Sequence, residues 1–230
     1  MPINHLRTIL DKLPSSCILC DNRGIVNQDI CSYCLAALLK NKVCCYQCGI
    51  ALEQLTNSRV CGDCQSRPPA FERSYAPFIY HGAMRYLIST LKFNNHYKNA
   101  RLLGQLLAET APKTELPQCI IPIPLHKSRY RQRGFNQCIE IAKTVSKQLQ
   151  IPVDNSLCIR HKNTPHQIGL AMKERRKNVK NAFSMIKKPD YDHIAILDDV
   201  MTTGSTMREI AAVFQKSGVS KIDVWVCARA

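Results

Sequence analysis

No stretch of the 230-residue sequence approaches the roughly 20 uncharged apolar residues that a membrane-spanning helix needs, although apolar side chains make up 45% of the chain. They are dispersed, as in a protein with an interior to fill rather than a bilayer to cross. The N-terminal MPINHLRTILDKL carries Arg7, Asp11 and Lys12 inside its apolar pattern and lacks the unbroken apolar stretch of a secretory signal, so a cytoplasmic protein is expected. Also missing are the GK[ST] of a nucleoside-triphosphate loop and the G-x-G-x-x-G of a dinucleotide fold. Acidic side chains are scarce, 17 against 32 basic ones. The excess is uneven: residues 71–230 hold 25 basic and 12 acidic side chains and so carry +13 of the formal charge of +15. A basic surface of this kind suits polyanionic partners.

The chain changes character near residue 70. Residues 65–70 read QSRPPA, and two prolines that lack backbone donors and disfavour helix before them make a natural boundary. Two parts are expected, a cysteine-rich module over residues 1–70 and an α/β domain over 71–230, where short apolar strands alternate with helical stretches.

Of 13 cysteines, nine lie between Cys17 and Cys64. Eight of these form C-x2-C pairs, Cys17/Cys20, Cys31/Cys34, Cys45/Cys48 and Cys61/Cys64, separated by ten, ten and twelve residues. Two thiolates three positions apart can turn toward one ion, and two such pairs complete the tetrahedral set zinc prefers, so two structural zinc sites are expected. Successive pairs make the simplest assignment; a cross-braced arrangement satisfies the same spacing. A segment this short and this poor in large apolar residues needs such staples, each worth on the order of 10 kcal/mol. Cys44 could enter through C-x3-C, but the repeated x2 spacing makes it a spectator. Four thiolates per ion close each site, which makes it structural rather than catalytic.

In the second part, residues 194–197 form a short apolar run expected to be a strand buried on both faces, ended by Asp198 and Asp199. Val200 and Met201 lead into Thr202, Thr203, Gly204, Ser205 and Thr206. Met207, Ile210, Ala211 and Phe214 then mark a helix with one apolar face. A hydroxyl-rich turn at a helix N-terminus, with a glycine that allows close approach, suits a phosphate monoester. Carboxylates at the same mouth can accept hydrogen bonds from ribose hydroxyls, directly or through a divalent ion. From Leu197 to Thr206 the string resembles the phosphoribosyl pyrophosphate signature of type I phosphoribosyltransferases. That resemblance implies that the turn holds the 5′-phosphate, that Asp198 and Asp199 act as the catalytic carboxylates on the ribose hydroxyls, and that magnesium accompanies the pyrophosphate.

A further strand is expected at residues 119–123, followed by a basic run, Lys127, Arg129, Arg131 and Arg133, expected either to be a solvated loop or to cradle pyrophosphate or a nucleic-acid backbone. Tyr130 and Phe135 could stack bases beside it. Gly134 and Phe135 introduce a helix with Ile139, Ala142, Val145 and Leu149 on its apolar face. Residues 160–183 form a second basic patch with the composition of a lid.

Taken together, the C-x2-C pairs, Pro68-Pro69, residues 80–93 ending LKF, IPIPL at 121–125, RGFNQ at 133–137, R-x4-P-x-Q at 160–167 and the T-T-G turn resemble the ComF family of DNA uptake over nearly the full length. The resemblance implies a type I phosphoribosyltransferase-like α/β parallel sheet flanked by helices, behind an N-terminal zinc finger. It implies that Pro122, Ile123, Pro124 and Leu125 form a pyrophosphate loop and that Arg160, Thr164 and Gln167 belong to a flexible loop. It also implies single-stranded DNA as partner, in natural transformation, with the zinc module open to protein partners. The glutaminase domain of true amidophosphoribosyltransferases is absent, so that reaction does not carry over. A salvage phosphoribosyltransferase and a non-catalytic phosphoribosyl pyrophosphate sensor are the alternative functions.

Overall fold

The computed structural model describes residues 15–54, 59–94, 96–163 and 179–230. Its helices in chain order are α1 Ser32–Ala36, α2 Gly62–Ser66, α3 Gly82–Asn94, α4 Tyr97–Thr110, α5 Lys127–Arg133, α6 Gln137–Leu149 and α7 Ser205–Lys216. The strands are β1 Arg73–Tyr75, β2 Phe78–Ile79, β3 Cys119–Pro122, β4 Cys158–Arg160, β5 Phe183–Met185, β6 His193–Met201 and β7 Lys221–Arg229.

β6 and β7 are apolar nearly throughout and pair in parallel at the centre of the sheet, with Ile194, Ile196, Val224 and Val226 fully buried. β3 pairs with the far side of β6, while β1 and β2 pair in succession along the outer edge of β7, all in parallel. A parallel bridge from Ile120 to Val153 extends the sheet beyond β3. β4 and β5 form a separate antiparallel pair. The alternation of strands and helical stretches predicts an α/β domain, and the sheet is the parallel one flanked by helices that the family resemblance implies.

Connection directions locate the mouth of the sheet. From β3 the chain passes through α6 to Val153, outward from β3; from β6 it passes through α7 to β7, in the opposite direction. Right-handed crossovers then put α6 and α7 on opposite faces, and the crevice where the direction reverses opens at the carboxyl ends of β3 and β6. Those ends carry residues 122–125 and 198–206.

In β6 and α6 the structure differs from the sequence reading. β6 runs on to Met201, so Asp198 and Asp199 lie inside the strand rather than ending it. On α6 the buried stripe is Cys138, Ile141, Ala142 and Val145, while Ile139 and Leu149 are only half-buried. The stripe turned because Cys138, small and apolar, fits beneath Asp198 and belongs to the same i, i+3, i+4, i+7 set.

The cysteine-rich segment lies along the β1–β2 edge. Ile79 N donates to Leu39 O (2.9 Å), Asn41 N to Pro77 O (2.8 Å) and Ser74 N to Tyr46 O (3.1 Å). It therefore covers backbone groups that an open edge would leave to water or to another chain. Among the described residues, no helix is long and apolar enough to cross a membrane.

Candidate functional site

The crossover mouth holds a cleft of ≈ 400 Å³, within the range of small-molecule sites. Every residue from Asp198 to Thr206 lines it. Gly204, with φ 72°, takes the left-handed conformation and is the N-cap of α7. Thr203 Oγ1 and Ser205 Oγ lie 2.8 Å apart, and Ser205 N donates to Thr203 Oγ1 (3.4 Å). The turn thus presents hydroxyls and the N-terminus of a twelve-residue helix to the cleft, where helix polarity favours an anion.

Asp198 and Asp199 are held differently. Asp198 Oδ1 accepts from Asp199 N (2.8 Å) and from the Cys138 thiol of α6 (3.1 Å). Burial, reinforced by the Asp199 charge, pushes Asp198 up to about 7. Asp199 forms an ion pair with Lys92 of α3 at 2.6 Å. Burial opposes charge on the Lys92 ammonium, but Asp199 and then Asp198 outweigh it and hold Lys92 above its ordinary value. Burial and the two carboxylates keep the Cys138 thiol well above the thiol range, so it serves as a donor and not as a nucleophile.

The opposite wall comes from the segment after β3. Ile123 N donates to Leu197 O (2.9 Å), which prolongs the β3–β6 pairing toward the cleft. Asn136 caps α6 by accepting from Cys138 N (2.9 Å) and donates to Ile123 O (2.9 Å), which locks the segment to the helix. With alternating side chains, Ile123 and Leu125 face the cleft, whereas Pro122 and Pro124 line an adjoining cleft of ≈ 390 Å³ that Leu125 shares.

The basic run is neither a loop nor a single cradle. It is helix α5, capped by His126, whose Nδ1 accepts from Ser128 N (3.2 Å), and closed by Gly134 at φ 80°. Residues two apart on a helix point about 200° apart. Arg129 and Arg133 therefore face the cleft with Arg160 of β4; Lys127 lines the adjoining cleft with Tyr130; Arg131 is exposed and lines neither. Arg160 lies over the Phe183 ring, 5.5 Å from its centre. Burial and then its cationic neighbour lower both Arg160, beside Arg129, and Arg129, beside Arg133. Three guanidiniums crowded this way favour an anion between them.

Phe135 is not available for base stacking. It is buried and packs on Tyr97 with ring centres 4.8 Å apart. Tyr130 is exposed. Thr164 and Gln167 lie outside the described residues. Lys92, Ser89 and Cys138 belong to the cleft or support it without having been singled out in the sequence, and Tyr80 and Gln137 line it although they had no role there beyond the 80–93 and 133–137 motifs. Lys92 stands within the 80–93 motif, but a single lysine on an amphipathic helix does not announce its partner.

The cysteine segment meets the geometry of its metal. The sulfurs of Cys17, Cys20, Cys31 and Cys34 all lie within 4.8 Å of one another, as do those of Cys45, Cys48, Cys61 and Cys64. Sulfurs at about 2.3 Å from a tetrahedral zinc stand about 3.8 Å apart, and Cys20–Cys31 and Cys48–Cys61 are at 3.7 and 3.6 Å. Successive pairs therefore share a site, which removes the cross-braced arrangement, and Cys44 belongs to neither set.

Known proteins resemble the chain in its cysteine-rich segment and along its length. Residues 10–65 match the model of the double zinc ribbon domain. Among solved structures, the glutamine phosphoribosylpyrophosphate amidotransferase from B. subtilis aligns at 17% identity over 55% of this chain and 25% of its own, with a TM-score of 0.38. The purine phosphoribosyltransferase from Pyrococcus horikoshii aligns at 16% over 58% and 83%, with a TM-score of 0.31. Sequence relatives are much nearer. Competence protein F of Haemophilus influenzae is 37% identical over 93% of this chain and 96% of its own length. The DNA utilization protein YhgH of Escherichia coli K12 is 33% identical over 94% and 98%, and competence protein ComFC of Bacillus subtilis is 23% identical over 88% and 89%. With likeness of that degree running from the zinc ribbon through the crossover cleft, the chain belongs to the ComF family of competence and DNA-utilization proteins.

Proposed function

We propose that the cleft binds phosphoribosyl pyrophosphate as its magnesium complex and that the basic surface beside it takes single-stranded DNA. The observation that carries the reading is the meeting, at one crossover mouth, of a hydroxyl-rich helix N-terminus, a carboxylate pair and three arginines. The turn at residues 202–206 suits the 5′-phosphate, Asp198 and Asp199 the ribose hydroxyls, and Arg129, Arg133 and Arg160 the pyrophosphate. Two carboxylates, one of them already paired with Lys92, make no cage for a divalent ion of their own, so the magnesium would arrive with the ligand's phosphates. What the chain supplies is position and charge, the main means by which such displacements are promoted. The DNA part draws on the +13 of residues 71–230, on Lys127 and exposed Tyr130 beside the cleft, and on relatives named for competence and DNA utilization.

Titration calorimetry of the magnesium complex tests the site. Saturable binding is expected, and Asp198→Asn combined with Asp199→Asn should abolish it; unchanged affinity in that variant would sink the assignment. Single-strand affinity should fall steeply as salt is raised. An affinity flat between low and moderate salt would remove the electrostatic account.

A further inference from the structure

The phosphate turn is tied at both ends to the second cysteine cluster. At its entrance, the Met201 carbonyl, last in β6, accepts from Arg229 Nη1 (3.1 Å) and from Ala230 N (3.0 Å). The same guanidinium, buried, donates through Nε to the Cys48 carbonyl (2.9 Å). At its exit, Arg208 makes an early backbone bond of α7, its N–H donating to Gly204 O (2.9 Å). The Arg208 side chain reaches out of the helix to Arg67 O (2.6 Å), the Cys64 sulfur (3.4 Å) and Asp63 (3.4 Å).

Cys48 and Cys64 come from different pairs, Cys45/Cys48 and Cys61/Cys64, whose separation is set by the ion that four sulfurs share. Four thiolates around a divalent zinc leave a net charge of −2, which the Arg208 guanidinium partly neutralises at Cys64. The first cluster is fastened elsewhere, to α4, through the Asp29–Arg101 ion pair and the bond from Gln105 Nε2 to Asn27 O (2.8 Å).

We infer that Arg208 and Arg229 are positioning residues that clamp the two ends of the phosphate turn onto the two halves of the second zinc cluster, so that zinc there sets the shape of the ligand site while the first zinc does not. The inference rests on the reading of residues 202–206 as the phosphate site. Phosphate recognition through backbone N–H groups depends on their mutual aim, and holding both ends of so short a turn limits that aim.

The test uses the full-length, zinc-loaded protein with Arg208→Gln and, for comparison, Arg101→Gln. Arg208 lies toward the surface, so its variant should fold where a change at buried Arg229 could fail. Three measurements are made: transfer of zinc to a chromogenic chelator, amide exchange of residues 202–207, and calorimetric binding of magnesium phosphoribosyl pyrophosphate. Arg208→Gln is expected to keep two zincs, to release one of them faster, to raise exchange in the turn, and to weaken ligand binding about tenfold, a usual size for coupled sites. Arg101→Gln should speed release of the other zinc and leave the turn as in the wild type. Wild-type exchange in the turn of Arg208→Gln, or equal loosening in both variants, overturns the inference. A wild type that binds no phosphoribosyl pyrophosphate would instead count against the proposed function, while the exchange comparison would still decide the coupling.

Discussion

Lys92, Asp199, Asp198 and Cys138 form a short buried chain of polar contacts between α3, the end of β6 and α6. Two carboxylates share one ammonium there, so one of them carries charge without a full counterion, and Asp198 rises to about 7 through burial and its neighbour. Removing the ammonium leaves both carboxylates uncompensated. Lys92→Met is expected to cost about 3 kcal/mol, the lower end for breaking a buried pair, because the lysine side chain is 24% exposed. Combined with Asp199→Asn, the cost should be clearly less than the sum of the two single changes; urea denaturation that finds the two additive would show that the pair is not coupled. Asp198 also gives a pH dependence. Between 3.8 and about 7 the folded protein holds a proton that the unfolded chain has lost, so this group's contribution to stability falls as pH rises through that window and is level above it. Asp198→Asn should therefore melt above the wild type at pH 8, with the gap narrowing toward pH 5. Melting curves showing the gap widen on acidification would contradict the burial account.

Helix α5 shows why charge spacing misleads without a conformation. Side chains at every second position share one face of an extended chain but opposite faces of a helix. Lys127, Arg129, Arg131 and Arg133 read as one basic stripe in the sequence, yet form two pairs at i, i+4, of which only Arg129 and Arg133 reach the cleft. The contact of α4 with α6 is the other place where an element depends on a single position. A Cβ added at Gly104 would stand 2.6 Å from Thr144 Cβ and 2.8 Å from the Ile141 carbonyl, and the backbone atom cannot swing aside. Helix propensity alone favours alanine over glycine by about 1 kcal/mol, whereas overpacking costs typically about 1–3 kcal/mol. Gly104→Ala is therefore expected to be net destabilising. A denaturation midpoint equal to or above the wild type would mean that the helices separate freely.

At the scale of the whole chain, the zinc ribbon is both a staple and a neighbour of the site. Elemental analysis is expected to give two zincs per chain, and stripping them with a strong chelator should lower the melting temperature, because few apolar side chains of the segment, Ile30 and Leu38 among them, are buried without help from metal. One zinc per chain, or an unchanged melt after removal, would refute the structural role. The two cysteine clusters, the hydroxyl-rich turn at residues 202–206 and the apolar face of α7 were legible in the residues themselves because each is a short-range pattern: a knuckle, a turn and a helical stripe are local geometries that fix which side chains must come together. The order of β3, β6 and β7, the Lys92–Asp199 pair, the burial of Phe135 and the arginine ties from residues 208 and 229 to the second cluster were not. They join residues far apart in the chain through single side chains, which leave no period in one sequence; packing the helices on the sheet and the ribbon along its edge decides them.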